Sequence, residues 1–238
     1  MTSSSGISIP YRIIALMQER NRLFAFPLER LAIEIWGTRF SCDCCGKCCT
    51  RAVNKHIFLL DHDAAEVKKI DCGAYEPAPD PEFCDQNGVL YVSGYALRMK
   101  EDGSGSCWFL KNKKCGIYDQ RFSGCRIYPH MLRRSNEMTE QVAWNQFAHK
   151  NQHGRYDQTL SLDECLAMAR KIKEYENAYL NQQIAFLELI HEYFTLCKLQ
   201  HDPVMYTKCM GALLRGEPVR IKVFDEGELK EFMTTKKE

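Results

Sequence analysis

A chain of 238 residues with 45% apolar and 26% charged residues has enough material to bury a core as one domain, or as one domain with a helical appendage. Its net charge of +1 excludes a global field that would draw it to nucleic acid or to an anionic membrane, so any such attraction has to be local. Thirteen cysteines, an odd count, follow a start (Met1 to Gly6) that lacks the basic and apolar character of an export signal, so a cytoplasmic protein with reduced thiols is expected and a disulfide framework is not.

No apolar run of about 18 residues occurs, so no membrane span is expected. Residues 7–40 read as two short helices broken at Pro27, because apolar residues recur at helical spacing: Ile13, Leu16, Met17, Leu23 and Phe24 before the proline, then Leu28, Leu31 and Ile35. Their shared apolar face is expected to pack on the cysteine-rich region, residues 41–159. Within that region Val53 to Leu60 reads as a short buried strand, and Asp61-His62-Asp63 offers N-cap chemistry for a helix to about Ile70. Residues 71–88, with Pro77, Pro79, Pro81 and Gly88, read as a long loop carrying Cys72 and Cys84. Val89 to Met99 reads as one strand, turning back through Asp102-Gly103-Ser104-Gly105 into Cys107-Trp108-Phe109-Leu110. A further turn, Lys111 to Lys114, precedes Cys115.

Residues 160–238 read as mostly helical. Ser161 and Glu164 form a capping box, and an apolar stripe runs from Leu162 to about Cys197 with an irregularity near Glu176-Asn177. A short helix is expected after Pro203, ending between Gly211 and Gly216. Cys165, Cys197 and Cys209 fall on these helices, where a buried thiol behaves as a small hydrophobe. The expected class is α+β: a small cysteine-rich metal-binding core with short strands, N-terminal helices and a helical C-terminal arm.

The chemistry concentrates in Cys42-Asp43-Cys44-Cys45-Gly46-Lys47-Cys48-Cys49. Cys42, Cys45 and Cys48 stand at successive x2 spacing, the habit of a loop that wraps three thiolates around an iron–sulfur cluster. Gly46 can take the positive φ that a chelating turn demands. Cys48 and Cys49 are adjacent, and in extended backbone neighbouring side chains face opposite ways, so these two are not expected to share one ion readily. Cys107, Cys115 and Cys125 recur at spacings of eight and ten, beside Ser106, Gly116, Gly124 and Arg126. Lys111, Lys113, Lys114, Arg121, Arg126, Arg133 and Arg134 against Asp119 give residues 107–134 a local charge of +6, which would lower thiol pKa values and offset an anionic centre. With Trp108, Tyr118 and Tyr128 interleaved, the same stretch is a less favoured nucleic-acid patch.

Cys42-x2-Cys45-Gly46-x-Cys48-Cys49, then Cys107-x-Phe109-Leu110, Cys115-x-Ile117-Tyr118, Arg121 and Cys125-Arg126-x-Tyr128-Pro129, resembles the YkgJ-type cysteine-cluster family over residues 40–130. In that family the cysteines are taken to bind zinc or iron, and some members are called iron–sulfur oxidoreductases or flagellin lysine N-methylases. The resemblance implies Cys42, Cys45, Cys48, Cys49, Cys107, Cys115 and Cys125 as metal ligands. Two features depart from the pattern: Phe122 stands where many members carry proline, and a downstream Cys-Pro-Gly segment is missing. The eighth ligand is therefore left among Cys44, Cys84, His149, His153 and Cys165.

Zinc favours ligands in two short pairs, whereas three thiols at x2 spacing plus a remote fourth suits a cubane, so spacing favours one or two 4Fe-4S clusters, with zinc as the alternative. Nucleotide-binding and hydrolase motifs are missing from the sequence. The expected role is electron transfer, or modification or maturation of a partner protein; the alternative is a zinc-stabilised adaptor that binds a protein partner through its helices.

Overall fold

The apolar spacing at the N-terminus becomes two helices that lie on a third. In the computed structural model, which describes residues 8–130 and 153–234, α1 (Ile9–Ala25) and α2 (Leu28–Thr38) are separated by Pro27, which stands at the N-cap of α2. Both pack against α5 (Leu162–Leu196), and they also meet the cysteine-rich region: α2 shares a cluster with Leu60 and Ile127, and Ile13 and Leu16 of α1 lie against the cluster of Phe83, Val89 and Tyr91. Leu31, Ala32 and Ile35 of α2 meet Cys165, Ala169 and Ile172 of α5 in one buried cluster.

α5 opens on the expected capping box: Glu164 N–H donates to Ser161 Oγ, and Ser161 N–H donates to Glu164 Oε2 at 2.8 Å. It then runs 35 residues without the irregularity expected near Glu176-Asn177. The polar residues that interrupt its apolar stripe are buried ones with work on neighbouring loops. Gln182 accepts the Asp61 N–H at 3.0 Å and donates Nε2 to Ser93 O at 3.0 Å, while Gln183 Nε2 donates to Ser93 Oγ at 2.9 Å. Gln182 thereby ties α5 to the start of α3 (Asp61–Ile70) and to the turn at Ser93-Gly94. Asp61 is the first residue of α3, not its N-cap; Leu60 holds the cap position, and Asp61 and Asp63 lie in the first turn, where carboxylates complement the helix dipole. Gln182→Leu would leave Asp61 N–H and Ser93 O without their partner, and a loss of about 2–3 kcal/mol is expected in a urea denaturation series.

The strands form three small sheets. β1 (Phe58–Leu59), β5 (Tyr95–Leu97) and β2 (Tyr75–Pro77) make an antiparallel sheet in the order β1-β5-β2. β3 (Phe83–Cys84), β4 (Leu90–Val92), β8 (Arg220–Asp225) and β9 (Glu228–Met233) make a second, in the order β3-β4-β8-β9. β6 (Leu110–Lys111) and β7 (Lys114–Cys115) are a hairpin.

Three expectations are corrected here. Val89 to Met99 is not one strand: it breaks at Ser93-Gly94 into β4 and β5, which belong to different sheets. A Cβ on Gly94 would stand 2.7 Å from Gln182 Nε2 and 2.9 Å from Phe58 Cζ. Residues 71–88 are not all loop, since β2 and β3 arise from them. The C-terminal region does not stay helical: after α6 (Pro203–Leu214) the chain returns as β8 and β9, and β8 pairs in parallel with β4, Val223 opposite Val92. The turn between them, Glu226-Gly227, has both residues at positive φ, the conformation a two-residue hairpin prefers. The α+β class holds, with the helical layer on one side and the short-strand, cysteine-rich body on the other.

Candidate metal centre

Backbone hydrogen bonds bring the two cysteine groups together. Cys107 N–H donates to Cys49 O at 2.7 Å, Arg51 N–H to Gly105 O at 2.8 Å, and Thr50 bridges Ser106. Asn54 Nδ2 donates to Cys48 O at 2.8 Å and holds the first loop from the other side. In the β6–β7 hairpin, Asn112 (φ 50°) and Lys113 (φ 62°) form the turn that sets Cys115 opposite Leu110. α4 (Ser123–Ile127) carries Cys125. The outcome is one cavity of about 70 Å³, several times the room a single water needs, lined by Cys42, Cys44, Cys45, Cys48, Cys49, Cys107, Cys115 and Cys125. All thirteen cysteines of the chain are free thiols.

The same local device recurs at three of these thiols. Cys44 N–H donates to Cys42 Sγ at 3.4 Å; the Phe109 and Leu110 amides donate to Cys107, and the Ile117 amide to Cys115. Each sulfur is thus met by the amide two residues onward, which favours its thiolate form. Gly46 at φ 74° turns the first loop, with Leu110 methyls 3.3 Å from where its Cβ would be. Cys44 itself sits at φ 58°.

Cys48 and Cys49 are not in extended backbone. They close a 3-10 turn, Lys47–Cys49, anchored by Cys49 N–H to Gly46 O at 3.1 Å, and their thiols hydrogen-bond one another. The opposite-face expectation fails for this reason. The hydrogen bond from Cys48 brings the Cys49 thiol down to about 7, helped by the Arg121 guanidinium against the pull of burial, and the same bond followed by burial drives Cys48 well up. Burial pushes Cys107 up to about 11 and raises Cys115 and Cys125. Cys49, Cys107, Cys115 and Cys125 are close enough for every pair among them to repel as thiolates, and Arg121 favours the thiolate at Cys49, Cys115 and Cys125. Cys42 lies among Cys44, Cys48, Cys115 and Tyr118, and Cys48 also reaches Cys125.

Arg121 also stacks on Tyr118, its Cζ 4.0 Å from the ring centroid, and donates Nε to Tyr118 O at 3.0 Å. Of the basic stretch, Lys113 and Arg121 line the cavity, while Arg133 and Arg134 lie outside the described residues. The cavity's far wall is aromatic: Phe40 meets Tyr128, His153 and Tyr156 edge-on, and Tyr128 OH bonds His153 Nε2. Gly154 at φ 69° is pressed into this wall; an added Cβ would stand 2.3 Å from Phe40 Cε2 and 2.9 Å from Ser41 O. Gly154→Ala is expected to cost at least about 2 kcal/mol and to loosen the cavity, read as a lower melting temperature with reduced metal retention.

All seven thiols expected from the sequence reach the cavity. Among the rivals for an eighth position, Cys44 and His153 line it; Cys84 belongs to the sheet core and Cys165 to the helical core; His149 lies outside the described residues. Among the described residues no three His, Cys, Asp or Glu side chains are already drawn around one point. Arg121 stood in the sequence as one of seven cations expected to offset the centre, and the fold sets it beside the thiols. The aromatic wall escaped sequence reading; Phe40, directly ahead of the cysteine loop, was the available signal.

Free thiols delivered by separate loops to one apolar-walled cavity, three of them met by backbone amides and several facing one guanidinium, make a site suited to chelating a metal. Residues 41–153, somewhat under half of the chain, match the family model "CxxCxxCC: Putative zinc- or iron-chelating domain", which supports metal binding by this region. Comparison with curated proteins and with solved structures gave no match. Among the described residues no helix is long and apolar enough to cross a membrane.

Proposed function

We propose that the eight cavity thiols form two neighbouring sets that hold iron–sulfur clusters, and that the protein serves as a cytoplasmic electron carrier for the modification or maturation of a partner protein. The observation that supports this reading most is the mutual proximity of Cys49, Cys107, Cys115 and Cys125 in the cavity that the Cys42-Cys45-Cys48 loop also lines, with Cys42 reaching Cys115 and Cys48 reaching Cys125 across it. The first set is a complete four-thiolate ligand set containing no short pair of the kind zinc favours. The second is the three-thiol loop of a cubane, with Cys44 or His153 at hand for its fourth corner. Cys49 directly follows the x2-spaced loop and yet joins the other set, as the cysteine closing a ferredoxin run ligates the second of two clusters.

The residues present fit such groups. A bound cluster supplies one-electron transfer at a potential set by charge, hydrogen bonds to sulfur and exposure. Arg121 offsets the charge of the thiolates, the amides of Cys44, Phe109, Leu110 and Ile117 hold their sulfurs, and Ile57, Leu97 and Phe122 keep water from the inner side. The exposed Cys44 marks the side of the centre that faces solvent and a redox partner. Anaerobic purification tests the reading. A brown, oxygen-bleached protein with iron and acid-labile sulfide in equal amounts supports it; a colourless protein with stoichiometric zinc overturns it in favour of a zinc-stabilised adaptor.

A further inference from the structure

We propose that a second cavity, which shares α4 with the metal centre, binds a small phosphomonoester whose organic part is apolar. The cavity measures about 410 Å³, within the size range of small-molecule sites. Its apolar side is made by Leu60, Ile127, Tyr175 and Ala178, contributed by the start of α3, by α4 and by α5.

The polar side is rich in donors. Arg126 of α4 and Lys171 of α5 both line it, and neither has a carboxylate partner among the described residues. Ser123 and His62 also line it, but their protons are engaged with Asp63 behind them and with one another. Ser123 N–H and Oγ both donate to Asp63 Oδ1, at 3.1 and 3.0 Å, and His62 Nε2 lies 2.8 Å from Ser123 Oγ. With the hydroxyl proton given to Asp63, the imidazole Nε2–H donates to the serine oxygen. Asp63 is buried beneath this pair, its side chain 3% exposed, and does not line the cavity.

Glu174 is the acidic group on the wall, so Arg126 and Lys171 outnumber the carboxylates that face the cavity, with Asp63 lying behind Ser123. A planar guanidinium fork and an ammonium from two different elements suit a tetrahedral dianion better than a flat carboxylate. The apolar wall beside them suits the group that the phosphate is esterified to. This proposal does not depend on which metal the neighbouring cavity holds.

Calorimetric titration of the purified, metal-loaded protein tests it with phenyl phosphate as probe, and with inorganic phosphate and phenol as comparators. Phenyl phosphate is expected to saturate one site at least tenfold more tightly than either comparator. Arg126→Gln and Lys171→Gln should each weaken it tenfold or more with unchanged melting temperature and metal content, and Glu174→Gln should tighten it. The absence of saturable binding, equal affinity for inorganic phosphate, or indifference to both cation substitutions would overturn the proposal.

Discussion

Replacing Cys49 by serine is expected to halve the metal bound by the protein. Cys49 neighbours Cys107, Cys115 and Cys125 across the cavity and hydrogen-bonds Cys48 along the chain, so in the proposed two-set arrangement it would belong to one set while touching the other. Its thiol is brought down to about 7 by the Cys48 hydrogen bond and Arg121, and a serine hydroxyl supplies no comparable ligand at neutral pH. Cys107→Ser or Cys125→Ser should give the same half loss. Cys42→Ser and Cys45→Ser should remove the other half. Cys44→Ser should show whether the exposed thiol is a ligand: unchanged metal assigns the fourth corner elsewhere, with His153 next to be tested. Iron, zinc and sulfide analysis of each variant reads these outcomes, and a variant series in which every thiol removes all metal would show a single shared centre instead.

Stripping the metal with a chelator under reducing conditions should divide the molecule in two. The cysteine-rich body has short strands of two or three residues around the cavity, and in the apo state the Cys49 hydrogen bond holds Cys48, and burial holds Cys107, Cys115 and Cys125, as thiols that no metal ties together. Binding energy for a metal set of this kind is largely folding energy. At ligand concentrations about a thousandfold above the dissociation constant it contributes about 4 kcal/mol, which corresponds to a fall in melting temperature on the order of 10 °C. The helical layer should survive. α1, α2 and α5 bury Leu31, Ile35, Ile172, Phe186, Leu187 and Ile190 in cores built without the cavity thiols. The expected record is a far-ultraviolet helix signal largely retained after chelation, with tryptophan fluorescence shifting at lower temperature as Trp108, bonded to Asp71 at 2.8 Å in the cysteine-rich body, becomes exposed. Simultaneous loss of both signals would mean that the body and the helices unfold as one unit.

The parts of this fold that were legible in the sequence are those with a local cause. Pro27 had to break the N-terminal helices, Ser161 and Glu164 had to start a long one, and Gly46 had to turn a chelating loop. The convergence of Cys107, Cys115 and Cys125 on the first loop was readable only as order and spacing, because the bonds that enforce it, Cys107 to Cys49 above all, join residues far apart in the chain. The continuity of α5 could not be seen for a similar reason: Gln182 and Gln183 look like interruptions until their partners at Ser93 and Asp61 are known. The β8–β9 hairpin carried a readable signal, an alternating Arg220-Ile221-Lys222-Val223 run before Glu226-Gly227. It was obscured by the helical character of everything before it. The geometry of Cys48 and Cys49 turned on one backbone choice, a 3-10 turn in place of extended chain, which adjacent identical residues do not announce.

X-ray absorption at the iron and zinc edges of the anaerobically purified protein tests the central claim most directly. Two sulfur-ligated clusters sharing the cavity predict an iron edge whose first shell is sulfur alone or sulfur with a single nitrogen or oxygen, an iron–iron shell beyond it, and about eight irons for each chain. Zinc in place of iron, or iron surrounded mainly by oxygen and nitrogen, would contradict it.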